Sequence, residues 1–392
     1  MKLLHVLASV DPKGGGPTEA VSQLGAHLKH LGHTFEMITL DDPKQPFLQE
    51  CLLPVHALGP SLGAYGYNKK LIPWLRANAH NYDAVIVSGL WSYQSFGSWR
   101  ALRSTEVPYY VFTHGMLDPW FKHTYPLKHL KKWVYWPWAE YRVLRDARAV
   151  LFTSAEERLL ARQSFWLYRA HERVVKYGTR PPPADGERLR EHFLAAHSEL
   201  RGRRVLLFLG RIHEKKGCDL LIQSFASVVK TEPTLHLVMA GPDQTGWVDG
   251  LKRLAQDIGV EDRVSWPGML RGEMKWGAFY CAEAFVLPSH QENFGVAVAE
   301  SLGCGRPVLI SNKVNIWREI EAAGAGIVET DSLAGTARLL SRWLAMRTED
   351  RQEMGVRAQQ LFRRQFTVEV MAESLLNIIR ERRYGSALAS VT

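Results

Sequence analysis

From Lys2 onward, short apolar runs alternate with longer segments in which apolar positions recur at helical spacing. Runs rich in β-branched and aromatic residues read as buried strands and the intervening segments as amphipathic helices, which is the pattern of a parallel sheet covered by helices. In the first half this predicts strands at Leu3 to Ser9, Phe35 to Leu40, Ala84 to Ser88, Tyr109 to Thr113, Ala149 to Thr153 and Val174 to Tyr177, with helices between them such as Thr18 to Leu31. The rhythm restarts at Arg204 to Gly210 and returns at His236 to Gly241, Val264 to Trp266, Ala284 to Leu287, Val308 to Ile310 and Gly326 to Glu329. Two Rossmann-like α/β domains of the nucleotide-binding type are expected. Between them the three prolines of Arg180 to Glu187 (RPPPADGE) stiffen a connector that is neither helix nor central strand. The expected division is an N-terminal domain over 1–180, a linker over 181–203, a C-terminal domain over 204–365 and a closing helix over 366–392. The Arg-rich helical stretch from about Glu349 to Arg383 could complete the second domain or pack back on the first.

Composition narrows the class. At 392 residues the chain exceeds one ordinary domain, and 46% hydrophobic with 23% charged residues fits a globular protein with sizeable cores, not a disordered or fibrous one. No apolar run reaches the roughly 18 residues of a membrane-spanning helix. The opening MKLLHVLASV contains His5 and runs into Asp11 and Pro12, so it reads as a first strand, not a signal. The 4 cysteines are far apart and form no CxxC, so neither zinc nor a disulfide framework is signalled, and a reducing cytoplasm is the expected home. The net charge of +9 points to an anionic partner. KHLKKW and RGRR are too short and scattered for a nucleic-acid stripe, so no nucleic acid is expected. Lys122 to Arg148 mixes Lys122, Lys128, Lys131, Lys132, Arg142 and Arg145 with Trp133, Tyr135, Trp136, Trp138 and Tyr141. It reads either as a helix lying against an anionic membrane or as an ordinary helix with aromatics in the core and cations in solvent.

The most informative chemistry lies in PSHQENFGVAVAESLGCGRPVL, Pro288 to Leu309. A buried strand ends at Pro288 and Ser289, and Gly295 then opens a helix whose free N–H groups favour phosphate at the carboxyl edge of a sheet. Glu292 in the loop and Glu300 in the helix, eight positions apart, suit hydroxyl acceptance from a sugar or ribose; the bland reading is two solvated glutamates on a surface helix. After the strand ending at Gly210, Arg211 and Lys216 flank His213 and Glu214 and can converge on a diphosphate, or be ordinary loop cations. Gly14, Gly15 and Gly16 follow the first strand and precede Pro17 at a helix start, letting backbone approach an anion; no GxGxxG is present, and a flexible loop is the alternative. His114, before Gly115, is placed at a strand end to meet a sugar hydroxyl or move a proton, unless it is a satisfied structural histidine. His27, His30 and His33 lack a carboxylate at ligand spacing and do not signal a metal.

These residues together resemble the retaining nucleotide-sugar glycosyltransferases of the family 4 type, across nearly the whole chain and most strongly over Val205 to Val328. The resemblance implies the GT-B fold, two Rossmann-like domains facing each other across a cleft. It implies Arg211 and Lys216 as the donor-diphosphate pair, Glu300 as the ribose acceptor, and Glu292 with the backbone around Asn293, Phe294 and Gly295 as the cradle for donor sugar and phosphates. Gly15 and Gly16 resemble the loop reaching the diphosphate from the other domain, and His114 the histidine near the transferred sugar. It implies no cofactor and no metal, in keeping with the absence of a D-x-D triplet. The family's frequent Ala-Met after the second glutamate is Ser301-Leu302 here, and its Asn-Gly-Val before the linker is Tyr177-Gly178-Thr179, which puts specificity more than activity in question.

The expected function is transfer of a hexose-type sugar, with retention, from a nucleoside diphosphate sugar to a hydroxyl on a saccharide or lipid-linked saccharide, in polysaccharide or cell-envelope assembly. An interfacial Lys122 to Arg148 would place the enzyme peripherally on the inner face of the membrane. The alternatives are a nucleotide-sugar 2-epimerase of the same architecture and a non-catalytic nucleotide-sugar-binding protein.

Overall fold

The computed structural model describes residues 1–12 and 15–388, with 382–388 described by backbone alone. Two compact units divide the chain: Met1–Gly178 with the segment from Val368 onward, and Thr179–Thr367.

The first unit holds a seven-stranded sheet of β1 (Lys2–Val6), β2 (Thr34–Thr39), β3 (Val55–Ala57), β4 (Ala84–Ser88), β5 (Tyr109–Phe112), β6 (Ala149–Phe152) and β7 (Glu172–Val174) in the order β3-β2-β1-β4-β5-β6-β7. The second holds β8 (Arg204–Leu209), β9 (Leu235–Ala240), β10 (Val264–Gly268), β11 (Ala284–Leu287), β12 (Val308–Ser311) and β13 (Gly326–Glu329) in the order β10-β9-β8-β11-β12-β13. Every strand pair is parallel, as between Val6 and Val87 or Leu207 and Phe285. The central strands are apolar throughout because helices cover both faces: AVIVS of β4, AFVL of β11 and LHLVMA of β9 are buried at every position. The strand order reverses between β1 and β4 and again between β8 and β11, so each unit has a switch point at the carboxyl ends of these strands, where α/β sheets take ligands.

Three local features differ from expectation. Strand β3 was not predicted: it is a three-residue edge strand, VHA, half-buried throughout, with too few apolar positions to make a pattern. The stretch 181–203 holds the helix Gly186–Ala196, which packs on the helix Gly272–Cys281 and falls within the second unit. Lys122 to Arg148 is not one helix but parts of three, Trp120–Thr124, Pro126–Tyr135 and Glu140–Asp146. Pro126 starts the second of these, and the helix stops before Pro137, which cannot supply the next N–H. The two closing helices divide as well: Thr348–Gln365 packs on Val296–Gly303 in the second unit, and Val368–Leu388 packs on Gly16–His30 in the first. Among the described residues, no helix is long and apolar enough to cross a membrane.

Candidate active site

In the second unit, the loops leaving β8 and β11 meet at the switch point. After Arg211 the chain makes a 3-10 turn, Glu214–Lys216, in which the His213 ring accepts the Lys215 N–H at 3.1 Å. Gly217 then enters the left-handed region at φ 66°, and a Cβ there would lie 2.3 Å from the Pro288 carbonyl oxygen, so only glycine lets the two loops touch. The β11 loop is tied to this turn by the His290 N–H and the Ser289 hydroxyl, which donate to the Lys215 carbonyl at 2.8 and 2.9 Å.

This bracing aims the buried Lys216 at Glu292, and the two form an ion pair. Glu292 also accepts the Asn293 N–H at 3.1 Å, while its own N–H and carbonyl are held by Lys313 and Asn315 at 2.9 and 3.0 Å. Burial works to raise the Glu292 carboxyl, but Lys216, Lys215 and Arg211 outweigh it and hold the group below its usual range. Burial and then Arg211, with Lys215 and Lys216 adding, depress His213 despite Glu214. Both shifts report a positive field. Arg211 is exposed at the rim, its guanidinium 3.4 Å from the Gln244 side-chain oxygen.

Gly295, at φ 77°, is the N-cap of the helix Val296–Gly303 and carries no side chain to occupy the first-turn N–H groups, leaving that helix end to a ligand. Phe294 is buried with its ring edge-on to Phe366 at 5.6 Å, so only its backbone can serve a ligand. One turn further on, the buried Glu300 meets Lys275, from the helix Gly272–Cys281, at 2.6 Å. Lys275, which also lies 4.4 Å over the Trp276 ring, was not singled out from sequence, because nothing around it in EMKWG marks it until the fold brings it to Glu300.

In the first unit the corresponding edge carries hydrogen-bonded neutral groups. His5 of β1 lies 2.7 Å from the Ser88 hydroxyl at the end of β4, and that hydroxyl lies 2.9 Å from Nε2 of His114, which follows β5. Burial pushes His114 down to about 4, and burial together with His114 pushes His5 down to about 3, so both rings are neutral near pH 7. His114 has φ 47° and Gly115 φ 73°, a left-handed turn that costs energy at a non-glycine residue. Glu157 holds the turn: it accepts the Thr113 hydroxyl and the Gly115 N–H, both at 2.6 Å, and the Thr153 N–H and hydroxyl at 2.7 and 2.8 Å. Ser154 caps the Glu157 N–H at 3.0 Å, and Ser154-x-x-Glu157 is a capping-box spacing that sequence reading passed over. His5, a polar residue inside an apolar strand, was the other overlooked signal.

After β1, Gly15 (φ 81°) is the N-cap of the helix Gly16–His30, again with no capping side chain and with proline in the first turn. Gly14 lies outside the described residues. Among the described residues, no group of three or more His, Cys, Asp or Glu is placed to hold a metal. Arg211, Lys216, Glu292 to Gly295 and Glu300 thus share one edge of the second sheet, and Gly15, Gly16 and His114 one edge of the first.

Two parallel α/β units that share one order over six strands, each with polar residues gathered at its switch point, define a protein of the GT-B type. Residues 15–178 match the model of the glycosyl transferase 4-like domain and residues 190–361 that of the glycosyl transferases group 1. The chain thus carries both glycosyltransferase domains and is a transferase. Mannosylfructose-phosphate synthase of Agrobacterium fabrum is 25% identical over 342 residues, covering 78% of this chain and 73% of that protein. D-inositol 3-phosphate glycosyltransferase of Saccharomonospora viridis is 30% identical over 255 residues, 62% of this chain and 57% of that protein. Among solved structures, sucrose-phosphate synthase of Thermosynechococcus elongatus superposes with a TM-score of 0.75 at 19% identity, covering 98% of this chain and all of that one (100%). Anabaena HepE in complex with UDP and glucose does so with a TM-score of 0.73 at 18% identity, covering 97% and 99%.

Proposed function

We propose that this glycosyltransferase moves a hexose-type sugar from a nucleoside diphosphate sugar to a hydroxyl acceptor, with retention of configuration and without a metal. The observation that carries the reading is the second unit's switch point, where Lys216, Arg211 and the uncapped start of the helix Val296–Gly303 create a positive field beside the half-buried Glu292 and the buried Glu300. Cations and a helix N-terminus stabilise the charge that builds on a departing diphosphate, which is the work a metal would otherwise do. Glu300 takes the ribose hydroxyls and Glu292 the donor sugar, with Asn293 and the backbone at Phe294 and Gly295 completing the cradle. Gly15 and Gly16 supply backbone N–H groups to the diphosphate. The neutral His114 offers a hydrogen bond to the transferred sugar. Retention puts acceptor and leaving group on one face of the sugar, so the departing phosphate takes the acceptor proton and no protein nucleophile is needed. Support for the donor class comes from HepE, whose structure holds UDP and glucose.

Incubating the enzyme with labelled nucleoside diphosphate sugars, with EDTA present, tests this. Lys216→Ala is expected to lower turnover by about 100-fold or more, and the coupling constant of the new anomeric proton gives the configuration. Near-normal turnover by Lys216→Ala, or an inverted product, would overturn the reading; conversion of the donor sugar without acceptor would establish the epimerase instead.

For the acceptor, the reading is a saccharide on a lipid carrier at an anionic membrane. On the helix Pro126–Tyr135, Leu127, Leu130 and Val134 fall at helical spacing and are 79%, 62% and 71% exposed, with Trp138 and Trp166 nearby in the chain or in space also largely exposed. Lys128 and Lys131 lie on the same helix, whereas Trp136 is buried in a stack with Phe165 at 4.1 Å and Lys132 turns in over Trp91 at 4.4 Å. Flotation with anionic vesicles is expected for the native chain and lost in Leu130→Asp/Val134→Asp; salt-insensitive absence of flotation would remove the membrane.

A further inference from the structure

We propose that the second unit carries a separate binding site for a phosphorylated small molecule, at the sheet edge opposite Lys216 and Glu292. A cavity of about 600 Å³ lies there, large enough for an organic phosphate. Its wall includes Tyr280, on the helix that leads into β11, and Arg306, two residues before β12, which places it at the amino ends of these strands. Pro181 to Pro183 and the Tyr280 ring give it an apolar side, and the Tyr280 hydroxyl is locked to the Pro183 carbonyl at 2.6 Å.

Its charge is one-sided. Arg190, Arg306 and Arg363 line the cavity, and the acidic residue in the lining, Glu187, is paired with Arg190 at 2.7 Å. Arg306 donates one Nη to the Tyr280 carbonyl at 2.7 Å, while its Nε is buried without a partner. Among the described residues, no carboxylate pairs with Arg306 or Arg363. This contrasts with the carboxyl edge, where both Lys216 and Lys275 meet a glutamate. Arg306 is part-buried without a counter-ion, and its second Nη, which makes no hydrogen bond, is the donor left for an anion in the cavity. The first turn of the helix Gly186–Ala196 adds a second, independent feature: Gly186 and Glu187 line the cavity, and Asp185 makes no capping bond, so the N–H end of that helix adjoins the arginines. Bidentate guanidinium donors beside a helix start match a phosphate group, and the proline and tyrosine side matches the organic body it is attached to. The cavity is built where the chain enters this unit, after Thr179, and where it leaves, at Thr367.

Calorimetric titration of inorganic pyrophosphate at fixed ionic strength, into the full chain carrying Lys216→Ala, tests the site away from the donor edge. Binding is expected to survive in this background and to weaken about ten-fold or more when Arg306→Gln or Arg363→Gln is added. Arg363 is exposed, so Arg363→Gln keeps the fold even if Arg306→Gln does not. No binding in the Lys216→Ala background, or binding unchanged by Arg363→Gln, would overturn the proposal.

Discussion

The two switch points share a strand order and little else. At the first, a histidine, a serine and a second histidine form a neutral chain across β1, β4 and the end of β5, over a hidden carboxylate, Glu157, that binds hydroxyls and backbone N–H groups. At the second, the half-buried Glu292 and the buried Glu300 bind lysines, and the exposed Arg211 and a helix end add positive field. Each arrangement pairs buried polar groups differently, one through hydrogen bonds among imidazoles, hydroxyls and the Glu157 carboxylate and the other through ion pairs. The lesson is that this topology supplies positions at a sheet edge while the residues placed there supply the chemistry. A neutral edge suits sugar hydroxyls, and a cationic edge suits phosphates.

The largest effect on that contrast is expected from Glu157→Ala. It strands the Thr113 and Thr153 hydroxyls and the Gly115 N–H in a buried site and should cost about 3 kcal/mol in denaturant unfolding, with loss of the His114 turn. A cost near that of a surface glutamate would mean the turn holds itself. At the charged edge, a double-mutant cycle on Lys275→Met and Glu300→Gln should give a coupling of about 1 to 3 kcal/mol, because either single change leaves the other group buried and unmatched. Additive costs would dissolve the ion-pair half of the comparison. The smallest effect near neutrality is that of pH. The unfolded imidazoles take up protons below about 6.5, while His114 and His5 stay neutral until about 4 and about 3, so the unfolded chain binds more protons and stability should fall as pH drops from about 6.5 towards 4. Unfolding at stepped pH reads this, and His5→Gln should flatten the fall; an unchanged slope would show that the rings are not held neutral.

Much of the fold was legible because buried parallel strands are short, apolar and bounded by turn residues, and β4, β11 and β13 fall at the expected residues. Edge strand β3 escaped because half-buried positions carry no such run. Around the proposed site, Lys216, Glu292 and Gly295 stand out because each sits in a strand-end loop marked by glycine or proline. Lys275 and Glu157 did not, since the partner of Lys275 lies 25 positions away and the Thr113 and Gly115 that Glu157 holds lie 44 and 42 away. The basic aromatic stretch read two ways because it is two things: Trp136 and Lys132 turn inward while Leu127, Leu130 and Val134 face out.

By itself, the order of residues determined where strands and helices form, where glycine must bend the backbone, and which loops carry cations and carboxylates, all of which depend on neighbours within a few positions. Only the tertiary structure decided that Glu300 meets Lys275, that His5 reaches His114 through Ser88, and that Arg306 is left without a carboxylate. Those outcomes depend on strand order and register, which bring distant residues together and which a local pattern of apolar and polar positions does not encode.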